Sequence, residues 1–224
     1  MITEPTIVIN FKAYKEASGK NAIKLANICE KLSIEHNAKI IICVNTVDLK
    51  EIASNVSIPV FSQHVDGDKF GGHTGAVLPE VLVQANSTGT LINHSEDRCT
   101  KETLKKSITR CKETGLYSIV CVQNPEEAAE VAKLLPDAIA IEPPELIGGD
   151  ISVTTSNPKI ITDSIKAVKE VNKRIPVLCG AGIKDKEDIS ISIKLGSKGV
   201  LIASGIVKAK DQEKTLIDLI KGLN

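Results

Sequence analysis

The sequence has no excess of either charge: 28 Lys and Arg stand against 28 Asp and Glu in 224 residues. A balanced chain has no overall field to draw it to nucleic acid or an acidic membrane, although a local anion site remains open to it. A long apolar run is also missing. Met1-Ile2-Thr3-Glu4-Pro5 has neither a basic start nor a small-residue cleavage site, so the expected location is cytoplasmic, with no membrane partner. The six cysteines, at 29, 43, 99, 111, 121 and 179, include no Cys-x-x-Cys pair, which removes the usual zinc and redox motifs, and no metal is expected. Cys43, Cys121 and Cys179 lie in or at the end of apolar runs and read as buried thiols. No Gly-x-Gly-x-x-Gly turn follows the first apolar run, where Asn10-Phe11-Lys12 stands instead, and this counts against an open dinucleotide-binding sheet.

What is present is an alternation of two patterns. Short β-branched runs recur at Thr6–Ile9, Lys39–Val44, Pro59–Ser62, Gly89–Ile92, Tyr117–Val122, Ala138–Ile141, Pro176–Leu178 and Gly199–Ile202. Several are apolar on successive residues, as parallel strands buried on both faces require. Helical signals lie between them. Ala22, Leu25, Ala26, Cys29 and Leu32 share one helix face, and Leu216, Leu219, Ile220 and Leu223 do the same in the last segment, which can close against the first helix. Asn124-Pro125-Glu126-Glu127, Asn157-Pro158 and Asp185-Lys186 read as helix starts. Eight strands in 224 residues leave 28 residues per unit, enough for a strand, a modest helix and two short loops. The fold class is therefore α/β, a closed (β/α)8 barrel, with residues 1–224 forming one compact domain.

In such a barrel the loops at the C-terminal strand ends form the site. The polar residues there are few: Asn10 and Lys12 after the first strand, Asn93-His94-Ser95-Glu96 after the fourth, and Glu142-Pro143-Pro144-Glu145-Leu146-Ile147-Gly148-Gly149 after the sixth. Gly180-Ala181-Gly182 and Ala203-Ser204-Gly205 follow strands seven and eight and are small enough for backbone N–H groups to approach an anion. Taken singly, each has an ordinary reading: a solvated lysine, a packing histidine, a turn glycine. Their joint occurrence on one rim points to chemistry on a phosphorylated molecule.

The order Asn-x-Lys, His-Ser-Glu, Glu-Pro-Pro-Glu-Leu-Ile-Gly and two small-residue turns, from Asn10 to Gly205, resembles the triosephosphate isomerase family, and the short chain with its Pro-Glu-Leu loop resembles the archaeal branch. The resemblance implies a TIM barrel that interconverts dihydroxyacetone phosphate and D-glyceraldehyde 3-phosphate through an enediolate, without a cofactor. It also implies the roles. Glu142 is the base, with Glu145 as the alternative acid, and a neutral His94 is the electrophile, its neutral form favoured by the positive end of the helix that follows. Lys12 is the fixed positive charge and Asn10 an amide donor beside it. Glu96 is a buried partner near that lysine, Ser95 contacts Glu142, and Ile147 and Leu201 desolvate the carboxylate.

On the same resemblance, backbone N–H groups of Gly148, Gly182, Ala203 and Ser204 are expected to grip the phosphate, and Pro143–Gly149 to close as a lid. The resemblance further implies self-association as a homodimer or homotetramer through the loop Gly71–Gly75, with Thr74 at its tip. The sequence departs from the wider family in lacking the tyrosine and serine hydroxyls of a Tyr-Gly-Gly-Ser turn, in having Ala203-Ser204 for paired glycines, and in having Asn93 where a glycine is usual. Two other readings share the small-residue turns: a sugar-phosphate epimerase type of barrel enzyme, and a non-catalytic phosphate-binding or assembly barrel. Neither readily explains Asn10, Lys12, His94 and Glu142 together.

Overall fold

The computed structural model describes residues 2–144 and 157–223. Its strands are β1 (Thr6–Asn10), β2 (Lys39–Val44), β3 (Val60–Ser62), β4 (Gly89–Ile92), β5 (Tyr117–Val122), β6 (Ala138–Ile141), β7 (Val177–Cys179) and β8 (Gly199–Ile202). They pair in parallel in chain order, and β8 pairs back onto β1 to close the barrel expected from the sequence. The described helices are α1 (Lys20–Glu35), α2 (Thr46–Asn55), α3 (Pro79–Gln84), α4 (Lys101–Thr114), α5 (Pro125–Ala132), α6 (Pro158–Val171), α7 (Lys186–Lys194), α8 (Ser204–Val207) and α9 (Gln212–Lys221).

Two prolines explain small differences at strand starts. The sequence places Pro59 and Pro176 in the third and seventh strands, which begin one residue later. Each proline carbonyl still accepts from a neighbouring strand, from Ile42 N–H at 3.1 Å and Ile139 N–H at 3.0 Å, but a proline has no N–H to return.

Successive strand residues serve two cores. Val8, Cys43, Phe61, Leu91, Cys121, Ala140, Leu178 and Leu201 fill the barrel interior, while Ile7, Ile9, Ile40, Ile42, Val120 and Ile139 pack outward under the helices. Both faces are thus apolar, which is why the strand runs do not alternate with polar residues. The predicted face of α1 is buried throughout, and its Leu25 and Leu32 each contribute about 1.5–3 kcal/mol by leaving water. α9 packs against α1 as expected, with Leu216, Leu219 and Ile220 buried.

Asn124 caps α5 and Asp185 caps α7, their side chains accepting from the N–H groups of Glu127 and Asp188. Each cap is worth about 1 kcal/mol. Asn157 precedes α6 without a side-chain cap. Closure at the β1–β8 seam depends on Gly199, whose φ is +139° and whose missing Cβ would fall 2.0 Å from the carbonyl oxygen of Thr6. Cys43, Cys121 and Cys179 are buried free thiols, as read. Among the described residues no helix is long and apolar enough to cross a membrane, and no group of three or more His, Cys, Asp or Glu could hold a metal ion.

Candidate active site

The C-terminal strand ends open into a cavity of about 490 Å³, lined by Asn10, Lys12, His94, Ser95, Glu96, Glu142, Gly182, Leu201, Ala203 and Ser204 among others. These are the described residues singled out in the sequence, brought together from five strands. Glu145, Ile147 and Gly148 lie outside the described residues.

Asn10 ends β1 with its side chain turned onto its own loop, where Oδ1 accepts from the Lys12 backbone N–H at 2.9 Å. That short turn holds Lys12 at a φ of +49°, a left-handed conformation that a lysine adopts only when neighbours fix it. Gln63, just past β3, ties the same loop to the barrel: its Nε2 donates to the carbonyls of Lys12 and Cys43, both at 3.1 Å. The Lys12 ammonium is then 2.8 Å from Glu96 Oε1. Glu96 is the partner expected, but its side chain is 56% exposed rather than buried, because it stands on an open turn of the rim.

At the end of β4 Asn93 has a φ of +62°, the conformation that favours a glycine and that asparagine tolerates next best. Its side chain is put to use: Nδ2 donates to the Cys121 carbonyl at 2.9 Å, and Oδ1 accepts from the Cys99 N–H at 3.2 Å. The strand end is thereby braced against β5 on one side and its own loop on the other. His94 follows, 8% exposed. A regular helix begins only at Lys101, so the helix does not meet the imidazole directly. What does is a tight turn, in which the Glu96 backbone N–H donates to His94 Nδ1 at 3.1 Å and the Asp97 N–H donates to the His94 carbonyl at 2.8 Å. A ring that accepts at Nδ1 carries its proton on Nε2 and is neutral.

That Nε2 is 3.2 Å from Oε1 of Glu142, which is 3% exposed. The other carboxylate oxygen, Oε2, accepts from the Ser95 backbone N–H at 3.1 Å. Burial first, then the Glu142 carboxylate, push the Cys121 thiol in the barrel interior well above its ordinary value. The expected Ser95 contact is thus made by its backbone, while its buried Oγ has no hydrogen-bond partner among the described residues. Gly180 closes the site behind Glu142: a Cβ there would fall 2.8 Å from the glutamate Cγ and 2.9 Å from the Ile141 carbonyl oxygen. Leu201 and the turns Gly180–Gly182 and Ala203–Gly205 complete the far wall, where α8 starts at Ser204. Gln63 behind the Lys12 loop, and Tyr14 and Lys184 on the cavity wall, join the residues expected from the sequence. Gln63 had a signal of the same kind as the others, a polar residue directly after an apolar strand.

A buried carboxylate acceptor, a neutral imidazole donor and a lysine at one end of a closed parallel barrel, facing small-residue turns suited to an anion, define a barrel enzyme of the acid–base class. The sequence profile described as triosephosphate isomerase matches residues 5–223. Curated relatives carrying that name include the protein of Methanothermus fervidus, 47% identical with 96% of this chain and 97% of the relative covered. Those of Methanocaldococcus jannaschii and Archaeoglobus fulgidus are 46% and 45% identical, with 96% of this chain covered in each case and 98% and 96% of the relatives. The chain belongs to the triosephosphate isomerase family and is an isomerase.

Proposed function

We propose that Glu142, His94 and Lys12 carry the reaction of this isomerase, the interconversion of dihydroxyacetone phosphate and D-glyceraldehyde 3-phosphate. Glu142 takes a proton from one carbon, and His94 Nε2 supports the adjacent carbonyl oxygen and gives it a proton. His94 recovers a proton from the hydroxyl on the first carbon as that oxygen becomes the new carbonyl, and the carboxylic acid returns its proton to the former carbonyl carbon. The pairing of Glu142 with the Nε2 side of His94 at 3.2 Å is the observation that carries this reading. Reacting groups need about 3–3.5 Å on either side of a substrate carbon, so the two cannot hold their direct contact while one lies between them. Glu142 therefore swings off His94 and the Ser95 N–H when substrate enters.

Lys12, held by the Asn10 turn and Gln63, supplies the positive charge for the enediolate, and Asn10 stands beside it. The phosphate goes to the N–H groups of Gly182, Ala203 and Ser204, with Gly148 as the further donor from outside the described residues. No cofactor enters this scheme. The working place is the cytoplasm, and residues 1–224 act as one barrel domain.

The same reading makes the chain a homodimer, with a homotetramer as the larger form. Thr74 lies in an exposed loop clipped at its base, where Asp66 N–H donates to the Val77 carbonyl at 2.9 Å and Val77 N–H donates to Asp66 Oδ2 at 2.7 Å. Phe70 in that loop is 64% exposed, and Val47 near the same end of the barrel is 90% exposed, apolar surface that a second copy would cover. Sedimentation of Phe70→Asp should show a smaller species than the unmodified protein; an unchanged species would rule this loop out of the interface.

The isomerase scheme is tested by converting glyceraldehyde 3-phosphate to dihydroxyacetone phosphate with the purified protein and with Glu142→Gln. A folded variant should lose at least about 10²–10⁴-fold in kcat, the usual worth of a positioned base. A fully active Glu142→Gln, or an inactive Glu145→Gln beside it, would move the base to Glu145.

A further inference from the structure

Among the described residues, and Lys184 apart, the cavity is short of free positive charge. Lys12 lies 2.8 Å from a carboxylate oxygen of Glu96, and Glu142 adds a second carboxylate to the same cavity. The turns Gly180–Gly182 and Ala203–Gly205 offer mainly backbone N–H groups, with the Ser204 hydroxyl their lone polar side chain. A triose phosphate brings a dianion into this space. Backbone dipoles orient such an anion, but a net-neutral wall does little to draw it from solution.

Lys184 stands two residues beyond Gly182 and lines the same cavity. Its backbone is pinned, because its N–H donates to Asp188 Oδ2 at 3.0 Å in the first turn of α7, which Asp185 caps. Its side chain is exposed, and its ammonium has no carboxylate partner among the described residues, whereas Lys12 has Glu96. Resting on the isomerase reading above, we propose that Lys184 is a further substrate-binding residue, supplying the uncompensated positive charge for the substrate phosphate. A cation on a fixed backbone at the rim acts over several ångströms and weakens as salt screens it, over a length of about 10 Å at 0.1 M. Its effect should fall on capture of the dianion and leave the proton transfers at Glu142 and His94 unaltered.

The test uses the intact protein, Lys184→Gln and Lys184→Arg, with glyceraldehyde 3-phosphate, phosphate-free glyceraldehyde and inorganic phosphate as probes. For Lys184→Gln, KM for glyceraldehyde 3-phosphate should rise roughly 3- to 10-fold with kcat within about twofold, and the difference should shrink at high ionic strength. The Kd for inorganic phosphate, measured by calorimetry, should weaken by a similar factor. Turnover of phosphate-free glyceraldehyde should not change, and Lys184→Arg should restore both KM and Kd. Unchanged KM and Kd in Lys184→Gln, or equal losses on glyceraldehyde with and without phosphate, would overturn the proposal. If the unmodified protein failed to turn over glyceraldehyde 3-phosphate, the isomerase reading would fall. The phosphate Kd would still decide for or against Lys184, weaker binding in the glutamine variant supporting it and equal binding removing it.

Discussion

His94 Nδ1 accepts a hydrogen bond from the backbone N–H of Glu96 at 3.1 Å, and this one bond assigns the ring's proton to the nitrogen that faces Glu142. The expected outcome is a ring that carries its proton at Nε2 and is bare at Nδ1, as read from its nitrogen-15 shifts in the folded protein. A tautomer with its proton on Nδ1 would contradict the turn geometry. His94→Ala should lower kcat by about 10²–10⁴-fold while the fold is kept, since the side chain supplies a hydrogen bond and a proton rather than core packing.

Gly180→Ala tests the wall behind the carboxylate. The added methyl meets the Glu142 Cγ at 2.8 Å, and it also meets the Ile141 carbonyl oxygen at 2.9 Å, an atom that cannot rotate away. Overpacking of this kind costs about 1–3 kcal/mol. Here part of that cost should displace Glu142, so kcat should fall tenfold or more while denaturation shows a modest loss of stability. A variant with native kcat would mean that the wall yields without moving the glutamate.

The thiols set an alkaline limit on stability. Burial pushes Cys111 and Cys179 up to about 12 from an ordinary 9.0, and pushes Cys29, Cys43 and Cys121 upward as well. The native protein therefore keeps protons that the unfolded chain releases near 9. The stabilisation is complete below that pH and is lost as pH rises from there through the folded values, at about 1.4 kcal/mol per pH unit for each thiol. Chemical denaturation from about pH 8 to about pH 10 should show stability falling. A flat or rising curve would mean that the thiols are not shielded. At neutral pH a thiol reagent should reach the half-buried Cys99 before the other five, which should react only on unfolding.

How much of this was legible in the sequence depended on whether a residue's signal was its own or its neighbour's. The strands were plain because a parallel strand buried on both faces must be apolar throughout, as Ile40 to Val44 are, and the limits at Pro59 and Pro176 moved by one residue because proline can accept in a ladder but not donate. Asn10 and Glu142 were visible for the converse reason: each is the first polar residue after such a run, and His94 is the second, directly behind Asn93, all at the strand ends that face the site. Contacts across the rim were not visible. The reach of Gln63 to the Lys12 carbonyl follows from the register of β2 against β3, and the brace from Asn93 to Cys121 follows from that of β4 against β5. No local pattern in residues 63 or 93 encodes those registers. Glu96 does contact Lys12, but its exposure depends on what stands opposite the rim rather than on its own neighbours.

The pairing of β1 with β8 also sets when activity can begin during synthesis. Asn10 and Lys12 leave the ribosome well before β8, and β1 keeps an unpaired edge until Gly199–Ile202 arrives to meet it. Until then the rim lacks the Ala203–Gly205 turn, and the strand that carries Lys12 is held on one side only. The nascent chain should therefore stay inert until β8 emerges, and then acquire its last edge partner and the Ala203–Gly205 turn in the same closing step.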